Sequence, residues 1–247
     1  MLVLLHGVPE TSALWNELRA ALDHDSTALS LPGFGTERPE GFSATKDAYL
    51  EWLVREVTTV GEPVDLVGHD WGAPLCFHLT VQHPELVRSL TIDMASGLHP
   101  AYQWHAFAQI WQTEGEGEAF FEDQFATPVA ERAEIYGAAF GLDQAAATTL
   151  VEMLDPTMAS CIVDLYRSAM PNIAADWPLP NEPLEVPVLL LDATEDPFAD
   201  ATLKEQVVGR LGVDVATLEG CSHFWALQDP NRAAQIIDRF VASVDER

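Results

Sequence analysis

Short apolar segments and amphipathic helical segments alternate through the first hundred residues, and this alternation restricts the possible folds more than any other feature of the chain. Strands joined by crossover helices pair in parallel. The sequence predicts strands at 2–7, 27–33, 63–69 and 87–94, and helices at 11–22, 44–60 and 71–84. The same rhythm returns later, with strands at 187–192 and 213–219 and helices at 201–211 and 230–246. We therefore expect an α/β fold with a mostly parallel sheet flanked by helices.

Residues 98–183 interrupt this rhythm. They are rich in alanine, glutamate and aromatic residues with helical periodicity, contain no convincing strand, and end in the proline-rich stretch "DWPLPNEPLEVP". Nothing in the 247 residues resembles a linker between independent domains. The sequence predicts one domain in three parts: an α/β core over 1–97, an inserted helical cap, or lid, over 98–183, and the rest of the core over 184–247.

The charge of the chain is strongly negative. The formal net charge is −27, with only 12 basic residues, so the surface is expected to repel nucleic acid and anionic membrane. No apolar run approaches the roughly 20 residues that a membrane-spanning helix needs. The opening "MLVLLHGVPE" lacks a basic segment and a small-residue cleavage site, so it predicts a core strand and not a signal peptide. We expect a cytoplasmic protein with neither nucleic-acid nor membrane partners.

Cysteine and histidine spacing gives no sign of a disulfide framework or a metal site. The three cysteines are scattered, and we expect each to be a small buried residue. The eight histidines show no H-E-x-x-H or comparable arrangement, so neither metal nor cofactor is expected.

The stretch "VGHDWGA" places Asp70 between two glycines, Gly68 and Gly72, where a predicted strand gives way to a helix. Alone, a Gly-x-Asp-x-Gly pattern is typical of an ordinary turn. Further along, Asp196 lies in "ATEDPFAD" after a strand and His223 lies in "EGCSHFWALQDP". With these motifs the chain resembles, nearly from end to end, α/β-hydrolase-fold enzymes with an aspartate nucleophile, the group of epoxide hydrolases and haloalkane dehalogenases.

The resemblance implies a role for each motif residue. Asp70 is the expected nucleophile, His223 the base and Asp196 the acid that orients it; Asp93 occupies the alternative acid position of some relatives. In the "HGVPE" loop, Val8 is expected to form an oxyanion hole with Trp71 through backbone N–H groups.

The same loop gives two further expectations. We expect His6 to hold the turn. Because the first predicted strand leads directly into this loop, the strands that often precede it in this fold are expected to be missing or displaced, and the oligomeric state stays open.

A carboxylate nucleophile suits a different substrate from a serine hydroxyl. Attack by serine on saturated carbon would leave an ether, which water does not readily cleave, whereas a carboxylate leaves a hydrolysable ester. Asp70 is ionised near neutral pH without a base, so His223 is free to activate the water that cleaves the ester. The expected partners are a small apolar epoxide or alkyl halide and water.

The leaving group distinguishes the two enzyme classes. An epoxide leaves as an alkoxide and needs a proton, for which the resemblance suggests Tyr166, whereas a halide needs only N–H donors. Trp111 stands where epoxide hydrolases usually keep their other lid tyrosine, and the expected pocket residues are Trp71, Trp111, Trp104 and His105. The sequence favours an epoxide hydrolase that forms vicinal diols. The alternatives are a haloalkane-type dehalogenase and, less favoured, an ester or lactone hydrolase or a non-catalytic binding protein.

Overall fold

A single parallel sheet forms the centre of the computed structural model, which describes residues 1–245. Its six strands lie in the order β2-β1-β3-β4-β5-β6, and every neighbouring pair is parallel. The strands are β1 (Leu2–Leu5), β2 (Ser26–Leu29), β3 (Val64–Gly68), β4 (Val87–Ile92), β5 (Val188–Ala193) and β6 (Asp214–Leu218). The predicted α/β fold with a mostly parallel sheet is confirmed.

Helices cover both faces of this sheet. They are α1 (Asn16–Ala21), α2 (Lys46–Val60), α3 (Gly72–Gln82), α9 (Ala201–Leu211), the short α10 (Trp225–Gln228) and α11 (Pro230–Asp245). Alternate strand residues point to opposite faces, so Val3 and Leu5 pack with α2, α3 and α9, whereas Leu2 and Leu4 pack with α1 and α11. The central strand β1 is buried on both faces, and its sequence LVLL is accordingly apolar throughout.

Some elements are shorter than the sequence predicts. β2 ends at Leu29, since the N–H of Leu31 bonds to the His6 side chain and not to the sheet. The predicted helix 11–22 divides into a 3-10 turn, Ser12–Trp15, and α1. The last predicted helix was extended to residue 246, which lies outside the described residues.

Five helices lie between β4 and β5, within the region predicted to be the lid. They are α4 (Ala106–Gln112), α5 (Glu116–Ala126), α6 (Val129–Phe140), α7 (Gln144–Met153) and α8 (Pro156–Arg167). Within the described residues, no strand occurs between β4 and β5. Phe224 from the core packs into the cluster formed by α6 and α7, which links these helices to the sheet. The domain limits themselves stay a prediction.

The cysteines and the helix lengths agree with the sequence expectations. All three cysteines are free and buried, as predicted. No helix among the described residues combines the length and hydrophobicity needed to span a membrane.

Candidate active site

Asp70 lies on the sharp turn from β3 to α3. Its backbone is in the left-handed region, with φ of 48°, and the N–H of Gly72 bonds back to the His69 carbonyl at 2.7 Å. A side chain at Gly72 would collide with the Leu5 carbonyl, and one at Gly68 would collide with the backbone of Gly72. The two glycines therefore allow the tight turn, and Asp70 carries the strained conformation that raises its side chain above the sheet.

The loop after β1 meets this turn at the carboxyl end of the sheet. β1 pairs with β2 on one side and with β3 on the other, so the crevice opens where the chain changes direction across the sheet. There the Val8 N–H donates to Asp70 Oδ1 at 2.8 Å. A Cβ at Gly7 would overlap the Asp70 side chain, so only glycine allows this approach. The Val8 N–H thus lies where charge develops when the Asp70 carbonyl is attacked.

His223 stands between two carboxylates. Its Nδ1 bonds to Asp196 Oδ2 at 2.9 Å, and its Nε2 lies 3.7 Å from Asp70 Oδ2. Asp196 also accepts the N–H of Phe198 at 2.9 Å through its other oxygen, which holds the carboxylate in place. The structure therefore brings together the expected nucleophile, base and acid, although they lie far apart in sequence.

Asp93, the alternative acid, faces a different histidine. Its Oδ2 forms a short hydrogen bond with His69 Nδ1 and accepts the Trp225 indole N–H at 2.7 Å. Its Oδ1 accepts the backbone N–H of Asp70 at 3.1 Å. Asp93 thus holds the backbone of the turn, and the partner of His223 is Asp196.

Glu10 and His69 complete a buried ionic group behind the turn that sequence reasoning missed. Glu10 is fully buried, with Oε1 3.0 Å from His69 Nε2 and Oε2 accepting the Gly7 N–H at 2.9 Å. Burial lowers the pKa of His69, but Glu10 and Asp93 more than offset this and raise it well above its usual value. A charged His69 between two carboxylates ties the Gly7–Val8 loop to the Asp70 turn.

Glu10, His69 and His223 also converge closely enough to be tested as a metal site. Their donor atoms lie within 4.8 Å of one another. A metal needs an unprotonated imidazole nitrogen, however, and both nitrogens of His69 face carboxylates that keep the ring charged. The donor set therefore fits an internal cation, the imidazolium, better than a metal ion.

Burial and neighbouring charges set the protonation of the reacting groups. Burial raises the pKa of Asp70 from 3.8 to about 6, although His223 acts in the opposite direction. Burial lowers the pKa of His223, but Asp196 and then Asp70 outweigh it, so the net change is upward. Burial raises the pKa of Asp196, but the interaction with His223 lowers it by more, so the net change is a decrease. Asp196 is thus ionised at every pH at which Asp70 is ionised.

Two adjoining cavities meet at Asp70. One of the two cavities is larger than the other. The larger is bordered by Val8, Trp111, Tyr166 and His223, and the smaller by Trp71, Tyr102 and Trp104. Asp70, His105 and Phe198 border both. All the expected pocket residues therefore lie around Asp70.

Tyr166 lies among the aromatic rings over Asp70. It is 2% exposed, and its ring centroid is 5.4 Å from that of Trp71 and 4.9 Å from that of Trp111. Burial and then the negative charge of Asp70 raise the pKa of Tyr166 well above its usual value. Its hydroxyl therefore keeps its proton and is available as a donor at ordinary pH.

The indole groups differ in what their N–H groups contact. The N–H of Trp104 donates to the Ala169 carbonyl at 3.1 Å and serves packing. Among the described residues, the buried N–H of Trp111 has no hydrogen-bond acceptor, and that of Trp71 lies close to the Tyr166 oxygen without the geometry of a good hydrogen bond. A buried donor without an acceptor is costly, and both tryptophans border a cavity that contains Asp70.

Two sequence signals could have revealed the missed residues. Glu10 is the charged residue of an otherwise apolar loop, and His69 directly precedes the nucleophile. In the sequence, each looks like an ordinary polar loop residue. Their structural role becomes visible only when the fold brings them into contact, although they are 59 positions apart in the chain. His6 behaves as predicted: it bonds to the Gly7 carbonyl and accepts the Leu31 N–H.

Comparison with known proteins places this chain in a hydrolase family. A family model described as the alpha/beta hydrolase family matches residues 2–236, and the chain belongs to this family. A soluble epoxide hydrolase from Corynebacterium sp. (strain C12) is 38% identical over 104 residues, covering 39% of this chain and 35% of that protein. A haloalkane dehalogenase from Mesorhizobium japonicum is 27% identical over 196 residues, covering 75% of this chain and 58% of that protein. The chain thus spans less than two thirds of the length of these curated relatives.

A solved structure shows the same fold over the whole chain. The epoxide hydrolase from Vigna radiata matches with a TM-score of 0.77 at 19% identity, covering 100% of this chain and 91% of that one. At this identity the likeness establishes the fold, and the substrate has to be argued from the site.

Proposed function

We propose that this hydrolase acts on saturated carbon through an alkyl-enzyme ester on Asp70, and that its substrates are epoxides, which it converts to vicinal diols. The observation that carries the proposal is the position of Tyr166, a buried O–H donor that borders the same cavity as the carboxylate. Residues 98–183 act as the lid that encloses this cavity. The similarity to the bacterial epoxide hydrolase supports the same choice.

In the first step, an Asp70 oxygen attacks a ring carbon of the epoxide. A carbon–oxygen bond forms to Asp70 and the carbon–oxygen bond of the ring breaks, so the electron pair moves to the epoxide oxygen. The Tyr166 hydroxyl donates a hydrogen bond, and then its proton, to that oxygen. The products of the step are a neutral hydroxyalkyl ester of Asp70 and the phenolate of Tyr166.

The second step returns the carboxylate. The charge of Asp70 is one of the groups that raise the pKa of His223, and ester formation removes this charge. The pKa of His223 therefore falls, so that the imidazole is neutral and able to act as a base near the working pH. His223 takes a proton from water, the resulting hydroxide attacks the Asp70 carbonyl carbon, and Asp196 stabilises the imidazolium. The Val8 N–H, with that of Trp71, stabilises the oxyanion. When the oxyanion collapses, the imidazolium of His223 protonates the departing alkoxide to complete the diol, and the proton of the regenerated Asp70 carboxyl group returns to the Tyr166 phenolate.

Dehalogenation is the second candidate because of the two tryptophans. The N–H of Trp111, which has no acceptor, and that of Trp71, which lies near the Tyr166 oxygen, would suit a halide, because a halide needs donors and no proton. The similarity to the haloalkane dehalogenase is compatible with this use. Ester formation and hydrolysis would be unchanged, and Tyr166 would not be required as an acid.

A trapping experiment tests the shared mechanism. His223→Gln removes the base of the second step, so incubation with a small aryl epoxide is expected to add the whole mass of the epoxide to Asp70, as located by peptide mapping. A bromoalkane would add its alkyl group with loss of HBr. Rapid steady turnover without an adduct in this variant would contradict the ester mechanism.

A second assay separates the candidate substrates. The wild-type enzyme is offered the aryl epoxide and the bromoalkane in parallel, and diol and halide are quantified. Diol without halide supports the proposal. Halide without diol makes the dehalogenase the correct assignment, and an acyl adduct formed only from ester substrates would indicate an ester or lactone hydrolase.

A further inference from the structure

His105 is a polar lid side chain at the junction of the two cavities. It directly precedes α4, and Asp70, His105 and Phe198 are the residues that border both cavities. Tyr166 borders only the larger of these and Tyr102 only the smaller. The His105 ring packs against Phe198 at 4.5 Å between centroids and lies 6.2 Å from that of Tyr166.

The backbone determines which nitrogen of His105 carries the proton. His105 Nδ1 accepts the N–H of Ala108 at 3.2 Å and so caps the first turn of α4. A backbone N–H can only donate, so Nδ1 must be unprotonated in this arrangement and the proton of the neutral ring resides on Nε2. The ring edge left for the cavities therefore carries an N–H donor.

The surroundings also keep this ring neutral. Burial, and then His223, lower the pKa of His105 to about 4. A neutral imidazole N–H can stabilise developing negative charge by hydrogen bonding without giving up its proton. Among the described residues, no hydrogen bond engages His105 Nε2, so this donor remains available to a substrate.

We propose that His105, through Nε2–H, is the second lid donor of this enzyme and acts with Tyr166 on the oxygen that leaves the attacked carbon. This inference rests on the proposed ester mechanism. Tyr166 supplies the proton, while His105 supplies a hydrogen bond that orients the epoxide oxygen and stabilises its developing charge. The donor pair thus consists of a phenol and an imidazole, with no second tyrosine required.

The test separates the donor role of His105 from its role in capping α4. Serine and threonine cap helices well, so His105→Ser and His105→Thr keep an acceptor for the Ala108 N–H while removing Nε2–H. His105→Ala removes both functions. Each change is made in the His223→Gln background, where the first step alone is followed by the rate of mass gain on Asp70 from the aryl epoxide.

A matched control comes from His99. Its Nδ1 also accepts a backbone N–H, that of Ala101 at 3.1 Å, but it borders neither cavity at Asp70. His99→Ser removes the same type of side chain from the neighbouring loop. It is expected to leave the rate of ester formation within about twofold of the parent, as is usual for substitutions away from a site.

For His105→Ser and His105→Thr we expect the rate of ester formation to fall by about 10- to 100-fold. One hydrogen-bond donor to an oxyanion accelerates a reaction by up to about 10²–10³, and the contribution of His105 is expected to be smaller because its ring is only half-buried. Their melting temperatures are expected to match the parent, and that of His105→Ala is expected to be lower.

Unchanged rates in the serine and threonine variants would overturn the donor role and leave His105 as a helix cap. Absence of an Asp70 adduct from the aryl epoxide in the His223→Gln parent would overturn the epoxide assignment, and this inference with it; absence of an adduct from the bromoalkane as well would overturn the ester mechanism. An adduct in the parent together with unchanged rates in the His105 variants would refute the inference alone.

Discussion

Replacing Asp70, the proposed nucleophile, should stabilise this protein while it abolishes turnover. Asp70→Asn keeps the shape of the side chain and the oxygen that accepts the Val8 N–H, and asparagine tolerates the left-handed backbone found here. The change removes the charge that burial penalises. Burial raises the pKa of Asp70 from 3.8 to about 6. One pKa unit corresponds to about 1.36 kcal/mol. The rise in the pKa of Asp70 on folding therefore lowers the free energy of unfolding of the wild type by about 3 kcal/mol at pH values above the folded-state pKa.

The pH dependence gives the sign of the effect. The folded-state pKa is raised, so the stability associated with protonated Asp70 is complete below the unfolded value of 3.8 and is lost as the pH rises through about 6. Asp70→Asn does not undergo this loss. Its advantage over the wild type should be about 3 kcal/mol at pH 8, about half of that at pH 5, and small at pH 4.

The measurement is the free energy of unfolding in urea at pH 5 and pH 8. Because the net charge is −27, removing any carboxylate could relieve general repulsion, so the control must change the charge equally. Asp143→Asn does so at an exposed helix N-cap, where asparagine and aspartate are equivalent. The control should change stability by less than about 0.5 kcal/mol. An Asp70→Asn gain no larger than the control, or equal at both pH values, would refute the reasoning.

Three further predictions concern catalysis and packing. Tyr166→Phe should slow diol formation by about 10²- to 10⁴-fold, since it removes a general acid, but should hardly affect halide release from a bromoalkane; equal losses on both substrates would exclude the acid role. kcat/KM for the wild type should fall about tenfold per pH unit below about pH 6, where Asp70 becomes protonated, and a profile flat to pH 4 would contradict the raised pKa. Gly7→Ala should cost about 1–3 kcal/mol of stability through overpacking against Asp70 and should slow ester formation, as measured by urea unfolding and adduct mass; normal kinetics would show that the loop adjusts freely.

The sequence by itself determined the features that depend on local patterns. Alternating apolar and amphipathic segments specify the parallel sheet, because burial of both sheet faces demands that rhythm. The turn is identified by the two glycines, Gly68 and Gly72, on either side of Asp70. Only glycine fits at these two positions, because a Cβ at either one would collide with backbone atoms. The order of Asp70, Asp196 and His223 along the chain then predicts the candidate catalytic group.

Only the tertiary structure decided which groups meet. Asp93 and Asp196 follow neighbouring strands, and the sequence favours Asp196 as the acid only through its family resemblance. The packing pairs Asp93 with His69 and Asp196 with His223. The charged group behind the turn depends in the same way on contacts across long stretches of chain. Local patterns carry information about faces and turns over a few residues, whereas hydrogen-bond partners depend on distances that exist only once the sheet and the inserted helices have packed together.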